Sequence, residues 1–328
     1  MKELLNRLFE HETLSREEAK VVVQKIGEGS YNNSEIAAFL TVFGMRSITV
    51  EELSGFRDAM LELCVKIDLD EFDAIDIVGT GGDGKDTFNI STSSCFVVAG
   101  AGHNVAKHGN YGVSSSCGSS NVLEYLGVKF SNQPDDLKRA LADAGFCMMH
   151  APLFHPAMKY VAPIRKEMAV RTFFNMLGPM INPSFPKKQF LGVFNLELAR
   201  LYGYLYQQTD VAYSITHALD GYDEISLTGI VKVIDNGGEK MLKPSDFGFD
   251  VLQPAELASG STVESSAEIL LSILENRSTE AQKNVVLANA GMAIRCARNN
   301  EISPLEGIAL AKESLESGRA LGVLKKLI

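Results

Sequence analysis

Residues 74–84 read Ala-Ile-Asp-Ile-Val-Gly-Thr-Gly-Gly-Asp-Gly, a short apolar run that leads directly into a glycine-rich loop. The apolar run is typical of a buried strand. Glycine permits positive φ angles and close approach of the backbone, so the amide N–H groups of such a loop can converge on an anion. The spacing fits neither a Walker loop nor a dinucleotide fingerprint. The pattern therefore predicts an anion-binding loop at the end of a strand.

A second polar segment follows this loop. Residues 87–94 read Thr-Phe-Asn-Ile-Ser-Thr-Ser-Ser and stand before an apolar run with helical character. The start of a helix offers unpaired N–H groups and the positive end of the helix dipole. Ordinary capping needs only one of these polar residues, so their number favours a phosphate site whose hydroxyl groups bind phosphate or Mg²⁺.

A third segment, from Lys107 to Ser120, joins a predicted strand to a predicted helix. Lys107 supplies a fixed positive charge, and three glycines allow the segment to wrap around a ligand. Because the carboxyl ends of parallel strands meet at one edge of a sheet, we expect this segment to form the second wall of the same anion site.

An acidic pair, Asp223 and Glu224, follows Gly221 further along the chain. A Mg²⁺ ion that bridges phosphates takes hard oxygen ligands and only one or two carboxylates. We predict a strand at 224–227, and adjacent side chains on a strand point to opposite faces. Both acids reach one site only if the backbone turns there, as Gly221 permits. Two solvated acids at the start of a strand are the alternative.

The periodicity of the chain predicts two kinds of domain. Residues 1–66 contain four apolar stripes at helical spacing, and capping boxes are predicted at Ser15–Glu18 and Thr49–Glu52. After residue 70, strands alternate with helices, which is typical of a mostly parallel central sheet covered by helices. Strands are predicted at 74–78, 104–107, 146–150, 189–193, 211–216, 224–227 and 231–234, and closing helices near 266–275, 279–297 and 304–326. We therefore expect an α/β fold, with a helical bundle domain at 1–68 and an α/β domain at 70–328. A helical excursion near 160–185 is expected to join the bundle in space.

Composition excludes some classes of function. The chain has 41 acidic and 31 basic residues, a net charge of −10, whereas a protein that binds duplex nucleic acid usually carries the opposite balance. No apolar run is long enough to span a bilayer, and the acidic N-terminal segment does not resemble a signal peptide. Five cysteines without a CxxC pair indicate reduced thiols in a cytoplasmic protein. A catalytic role for Cys117 is an alternative, although no base stands beside it in the sequence.

Five collinear segments together resemble the anthranilate phosphoribosyltransferase family, whose wider group includes the pyrimidine nucleoside phosphorylases. The segments are GTGGDGKDTFNIST (79–92), KHGN (107–110), VSSSCGSSNVLEYLG (113–127), HPAMKYVAPIRKEMAVRTFFNMLGPMINP (155–183) and DGYDEISLTG (220–229). The resemblance implies a homodimer, a substrate cleft between the two domains, Mg²⁺ as two ions, and a place in tryptophan biosynthesis.

The resemblance also implies roles for individual residues. Contacts to phosphoribosyl pyrophosphate (PRPP) are expected at Gly79, Gly82, Asp83, Thr87, Asn89, Ser91, Thr92, Lys107, Ser115 and Ser119. Anthranilate contacts are expected at Gly79, His108, Asn110 and Arg165, and Mg²⁺ ligands at Ser91, Asp223 and Glu224. No residue is expected to act as a general acid or base, because the amine of anthranilate is already neutral near pH 7. We instead expect positioning and electrostatic stabilisation.

Two positions depart from the family pattern. Tyr111 stands where many relatives have arginine, and Ser120-Asn121 stands where many have Ala-Asp. Both departures lie beside residues that match the pattern, so they affect the geometry of the Lys107–Ser115 loop rather than the assigned contacts.

Three alternative functions would use the same sequence differently. A pyrimidine nucleoside phosphorylase would share the glycine loop but would need neither Arg165 near an aromatic acid nor a pair of acids for metal. A non-catalytic relative that binds nucleic acid would need a basic surface. A helical interaction protein would leave the glycine loops without a role.

Overall fold

The computed structural model describes residues 1–112 and 117–328, and these residues form two compact units. The first unit contains residues 1–67 and 151–183, and the second contains residues 68–150 and 184–328. The predicted PRPP contact Ser115 lies outside the described residues. Among the residues that are described, no helix is both long and apolar enough to cross a bilayer.

The helices follow the periodicity of the sequence. In chain order they are α1 (Lys2–Phe9), α2 (Arg16–Gly27), α3 (Asn33–Met45), α4 (Val50–Leu63), α5 (Ile90–Gly100), α6 (Ser119–Tyr125), α7 (Pro134–Ala144), α8 (Ala151–Phe154), α9 (Ala162–Met168), α10 (Phe174–Leu177), α11 (Leu196–Tyr206), α12 (Val263–Leu274), α13 (Glu280–Ala297), α14 (Pro304–Glu316) and α15 (Arg319–Lys325). Short 3₁₀ turns lie at Asp70–Phe72, Pro156–Tyr160, Gly178–Met180, Pro244–Phe247 and Pro254–Leu257.

The first unit is a helical bundle with an aromatic core. The ring of Phe173, from the segment that precedes α10, stacks on Phe56 of α4 at a centroid distance of 4.2 Å. Phe39 and Phe43 of α3 meet the same ring edge-on at 5.9 and 5.5 Å. Aromatic pairs in these geometries add stability beyond the area that they bury. The segment 151–183 therefore shares one core with the N-terminal helices.

Side-chain caps begin the helices of this bundle where the sequence predicts them. Ser15 with Glu18 and Thr49 with Glu52 form the two expected capping boxes. Asn32 with Glu35 forms a third box, at the start of α3.

The second unit contains one sheet with strands β1 (Ile75–Gly79), β2 (Val105–Gly109), β3 (Phe146–His150), β4 (Lys188–Gly192), β5 (Ala212–Ala218), β6 (Val231–Asp235) and β7 (Gly238–Leu242). In the described part of the chain the strand order is β3-β2-β1-β4-β5-β6-β7. The first five of these strands are parallel to their neighbours, and β6 and β7 are antiparallel. The predicted fold class, an N-terminal helical domain plus an α/β domain with a mostly parallel sheet covered by helices, is confirmed.

The strand order reverses between β1 and β4. From β1 the chain builds outward through β2 and β3, and it then returns to place β4 and β5 on the other side. In open α/β sheets a crevice forms at such a point, outside the carboxyl ends of the strands, and ligands bind there.

Two predicted elements differ from the structure. The strand expected at 224–227 is wrong, because these residues form an irregular turn in which Gly221 and Leu227 have φ angles of 102° and 59°. The single closing helix expected at 304–326 is divided into α14 and α15 by Gly318, whose φ of 77° is typical of a glycine that ends a helix.

Candidate active site

Two glycines bring the acidic turn onto the edge of the sheet where the strand order reverses. Gly79 and Gly192 are the last residues of β1 and β4, and they are paired in the sheet. A Cβ atom on Gly79 would lie 2.6 Å from Oδ2 of Asp223, and one on Gly192 would lie 1.7 Å from the Asp223 carbonyl oxygen. Only glycine allows this approach, so both strand ends are shaped to seat Asp223.

The glycine-rich loop then wraps around the Asp223 side chain. Gly81 has a φ of 62°, and its N–H donates to Oδ2 of Asp223 at 2.6 Å. The Asp223 N–H in turn points to Oδ2 of Asp83 at 3.4 Å. The predicted anion-binding loop and the predicted metal ligands are thus in direct contact.

Glu224 and Lys107 reach the start of α5 in the same place. The N–H of Ser91 donates to Oε1 of Glu224 at 2.9 Å. The Lys107 ammonium, on β2, donates to the Ile77 carbonyl at 2.6 Å and lies 3.4 Å from the Ser91 hydroxyl. Lys107 is only 2% exposed, so its charge is held at a fixed position beside the acids.

The carboxylates of this cluster are crowded. Burial raises the pKa of Asp223 above its usual range, and the nearby charge of Asp83 raises it further. Burial raises the pKa of Glu224 as well, followed by the charges of Asp223 and Asp83, while Lys107 acts in the opposite direction. Desolvation and like charge both disfavour ionised carboxylates, and a divalent cation would relieve both.

The donor set fits a magnesium site that is completed by its substrate. Within residues 1–112 and 117–328, no three His, Cys, Asp or Glu side chains are grouped so that they alone could hold a metal ion. Mg²⁺ bound with phosphates commonly uses one or two carboxylates, together with water and phosphate oxygens. Asp223, Glu224 and the Ser91 hydroxyl match that chemistry.

The second predicted wall touches the first. The Asn89 amide donates to the Cys117 carbonyl at 3.1 Å, which links the start of α5 to the segment before α6. The Asn110 carbonyl accepts from the N–H of Ser120 at 3.2 Å, and the Ser119 hydroxyl lies 3.5 Å from it. Burial raises the pKa of the Cys117 thiol, which opposes the alternative that Cys117 is a nucleophile.

The structure places the remaining site residues in different surroundings. Thr87 forms a β-bridge with Ala258, and Thr92 is buried in the first turn of α5. His108 is not in a loop, because it lies within β2, where it is buried and its N–H donates to Oδ1 of Asp76 at 3.1 Å. Asn110 is exposed just beyond the strand.

Arg165 lies on α9 of the first unit. Its Nη2 donates to Oδ1 of Asn175 at 3.2 Å, and its guanidinium lies 5.6 Å from the centre of the Phe174 ring. Burial lowers the pKa of Arg165. It is therefore a half-buried arginine whose guanidinium is oriented by Asn175 and Phe174.

The sequence interpretation missed Gly192 and the contacts made by Asn121. The Gly192 signal was present, since Phe190 and Leu191 lead into this glycine as Ile77 and Val78 lead into Gly79. Its importance depends on the close approach of Asp223, which is distant in sequence.

Comparison with known proteins agrees with this geometry. Residues 71–321 match the family described as "Glycosyl transferase family, a/b domain", and residues 2–64 match "Glycosyl transferase family, helical bundle domain". An anthranilate phosphoribosyltransferase from Christiangramia forsetii is 64% identical over 327 residues, which cover 100% of this chain and 98% of that protein.

Solved structures show the same fold. The anthranilate phosphoribosyltransferase of Thermus thermophilus superposes with a TM-score of 0.92 at 33% identity, covering 98% of this chain and 97% of that one. The Saccharomyces cerevisiae enzyme in complex with PRPP and Mg gives a TM-score of 0.90 at 28% identity, covering 99% and 95%. The yeast enzyme is also known in complex with 4-fluoroanthranilate. The chain described here thus belongs to the glycosyl transferase family of the anthranilate phosphoribosyltransferases.

Proposed function

We propose that this chain transfers the phosphoribosyl group of PRPP to the amine of anthranilate, giving N-(5-phosphoribosyl)anthranilate and pyrophosphate, as a step of tryptophan biosynthesis. The observation that carries the proposal is the meeting of the glycine loop, Ser91, Lys107 and the Asp223–Glu224 pair at the point where the strand order reverses. This arrangement combines anion donors, a fixed cation and hard oxygen ligands, as a metal–pyrophosphate complex requires.

In this proposal the described PRPP contacts come from three segments. The glycine loop contributes Gly79, Gly82 and Asp83, and the segment into α5 contributes Thr87, Asn89, Ser91 and Thr92. Lys107 and Ser119 contribute the second wall, with Ser115 outside the described residues. The close contacts between Asn89 and Cys117, and between Lys107 and Ser91, support a single binding surface.

Asp223, Glu224 and Ser91 would hold Mg²⁺, and we infer two ions. The carboxylates are crowded without a cation, and the relative from yeast is known with PRPP and Mg. Mg²⁺ held by these residues would supply Lewis-acid stabilisation of the negative charge on pyrophosphate.

The residues of this chain then act by position and charge. Lys107 cannot move far, because its ammonium is buried and bonded to the Ile77 carbonyl, so its charge is in place before pyrophosphate leaves. Arg165 would bind the carboxylate of anthranilate, a task that suits the planar guanidinium. Asn110 would contact the same substrate. His108, which is buried within β2, would support the binding of anthranilate. No general base is assigned.

The alternatives fit these observations less well. A pyrimidine nucleoside phosphorylase handles inorganic phosphate and a nucleobase, and the crowded acids Asp83, Asp223 and Glu224 would have no cation to bind. A non-catalytic relative that binds nucleic acid is opposed by the net charge of −10.

The test of the proposal is a product assay. Purified protein is incubated with anthranilate, PRPP and Mg²⁺, loss of anthranilate fluorescence is followed, and the products are identified by mass. We expect one pyrophosphate released for each anthranilate consumed, and no reaction with EDTA. In the same assay Arg165→Ala should raise the KM for anthranilate about tenfold or more, whereas the exposed neighbour Lys166→Ala should not. Consumption of a nucleoside with phosphate instead of anthranilate would contradict the proposal.

We infer further that the protein is a homodimer in the cytoplasm and does not bind nucleic acid. The resemblance supports the dimer, while the five buried, unbridged cysteines and the acidic charge support the other two inferences. Sedimentation equilibrium is the direct test of the dimer, and a monomer at micromolar concentration would contradict it.

A further inference from the structure

The side chain of Asn121 ties together two parts of the segment that precedes α6. Its Oδ1 accepts from the N–H of Gly112 at 2.9 Å and from the N–H of Gly118 at 3.0 Å. The backbone is already close at this point, since a Cβ on Gly118 would lie 2.3 Å from the Gly112 nitrogen. One acceptor oxygen therefore links Gly112 to Gly118, which lie on either side of residues 113–117.

Tyr111, the residue before Gly112, makes a second attachment to α6. Its hydroxyl lies 3.2 and 3.3 Å from the two carboxylate oxygens of Glu124, one turn along α6 from Asn121. Its ring meets the ring of His150 edge-on, at a centroid distance of 4.9 Å. These contacts use both the hydroxyl and the aromatic ring of the tyrosine.

His150, which the Tyr111 ring contacts, is itself held in place by its neighbours. It is the last residue of β3 and is buried, with Nδ1 2.9 Å from the hydroxyl of Ser120 and its ring stacked on Phe130 at 4.6 Å. Tyr111 therefore packs on a side chain that is itself held by β3 and α6, so its position depends on ordered elements.

Tyr111 and Gly118 are each adjacent in sequence to a proposed substrate contact. Asn110, the proposed anthranilate contact, directly precedes Tyr111, and its side chain accepts from the Tyr111 N–H at 2.8 Å. Ser119, a proposed PRPP contact, directly follows Gly118. A shift of Gly118 would move Ser119, and a shift of Tyr111 would move Asn110.

We propose that Asn121 and Tyr111 are positioning residues that hold Ser119 and Asn110 in the geometry needed for substrate binding. The inference rests on the proposed function, because Ser119 and Asn110 are proposed substrate contacts. It also assigns a purpose to two positions where this chain departs from the family pattern. Asn121 acts through Gly118 on the PRPP side, and Tyr111 acts through Asn110 on the anthranilate side.

The first experiment compares Asn121→Leu with Asn121→Asp in steady-state kinetics. Leucine has a similar shape and no acceptor, whereas aspartate keeps an oxygen at the position that binds both N–H groups. We expect Asn121→Leu to raise the KM for PRPP about tenfold, as the loss of two hydrogen bonds implies, with kcat changed less than about threefold. Asn121→Asp should restore the KM to within about threefold of the original value.

The second experiment compares Tyr111→Phe with Tyr125→Phe. Tyr125 is an exposed tyrosine at the end of the same helix. Loss of the Tyr111 hydroxyl should raise the KM for anthranilate about threefold to tenfold, the usual net effect of one exposed side-chain hydrogen bond. Tyr125→Phe should leave both KM values unchanged.

Binding of magnesium pyrophosphate, measured by calorimetry, separates failure of this inference from failure of the proposed function. Original protein that binds the probe but does not consume anthranilate would overturn the function, and weaker binding by Asn121→Leu alone would still support the positioning role. Equal binding and equal KM values in the folded original, Asn121→Leu and Asn121→Asp proteins would overturn that role. Protein that binds no probe would overturn both.

Discussion

Gly192 controls the site through the absence of a side chain. The Asp223 carbonyl oxygen occupies the place where a Cβ of residue 192 would stand, at a distance of 1.7 Å. The two residues lie in different elements, so one methyl group on β4 must push the acidic turn away from the sheet edge. The position of the acids is therefore set by a residue that has no functional group.

Gly192→Ala should consequently affect activity more than folding. Overpacking typically costs about 1–3 kcal/mol of stability, and a displacement of about 1 Å in a catalytic group can reduce the rate about 100-fold. The measurements are kcat/KM for PRPP and the melting temperature. Gly322→Ala in α15 is the matched control, because the added carbon would meet no described atom within 4 Å apart from its chain neighbours and the backbone of its own helix. An active Gly192→Ala protein with original kinetics would show that Asp223 need not lie where the structure places it.

At the residue scale, part of the site could be predicted from the sequence and part could not. The composition of the glycine loop indicated an anion site, and the pairing of Asp223 and Glu224 indicated a metal. The strand expected at 224–227 was wrong, but the condition under which both acids reach one place, a turn of the backbone that Gly221 permits, is met. The turn is held by Gly81 and Gly192, residues distant in sequence, and no local pattern reports such contacts.

At the scale of elements, the capping box at the start of α4 also makes contacts with other parts of the bundle. The predicted capping box places Glu52 three residues after Thr49, and Glu52 is also completely buried. Its Oε1 accepts from the Leu14 N–H at 2.9 Å and from Arg46 at 2.6 Å. The box therefore also attaches α4 to the segment before α2 and to the end of α3.

The pKa of Glu52 reflects this network. Burial raises it, but the Arg46 guanidinium and the N–H groups of Thr49 and Leu14 outweigh burial, and the pKa lies below its usual value. A carboxylate whose pKa is depressed by folding stabilises the protein above its unfolded pKa. That stability is lost as the pH falls through the folded pKa.

Glu52→Gln should therefore destabilise the protein in a pH-dependent way. At pH 7 we expect a loss of about 2–4 kcal/mol, because Arg46 would be left without its charged partner. The difference should narrow as the pH falls below about 4.3, where the unfolded glutamate is already protonated. Urea unfolding at several pH values measures it, with the exposed neighbour Glu51→Gln as control. A constant difference at every pH would contradict the electrostatic explanation.

At the scale of the whole molecule, the proposed function requires an acidic protein to bind a substrate that is itself strongly anionic. The net charge of −10 gives no general attraction for PRPP. Binding must come from a local arrangement, in which Lys107 is buried beside Ser91 and the acids favour a divalent cation. The proposed site would depend on metal, because the cation would convert crowded carboxylates into part of an anion-binding surface.

The sequence predicted the fold class because both signals are local. Helical periodicity in residues 1–66 and the alternation of strands and helices after residue 70 are properties of short segments. The strand order around β1 and β4, and the packing of Phe173 on Phe56, arise from contacts between distant segments. Their basis is the close fit of side chains, which periodicity does not encode.

The most direct measurement is the Mg²⁺ dependence of the rate of anthranilate consumption, in the original protein and in the Asp223→Asn, Glu224→Gln double variant. Burial raises the pKa of both carboxyls, so neutral replacements should leave the melting temperature unchanged or higher. We predict that the Mg²⁺ concentration for half-maximal rate rises about tenfold or more, as the loss of two charged ligands implies. The exposed Asp250→Asn should leave it unchanged. A double variant that is folded, active and titrated by the same Mg²⁺ concentrations as the original protein would contradict the account.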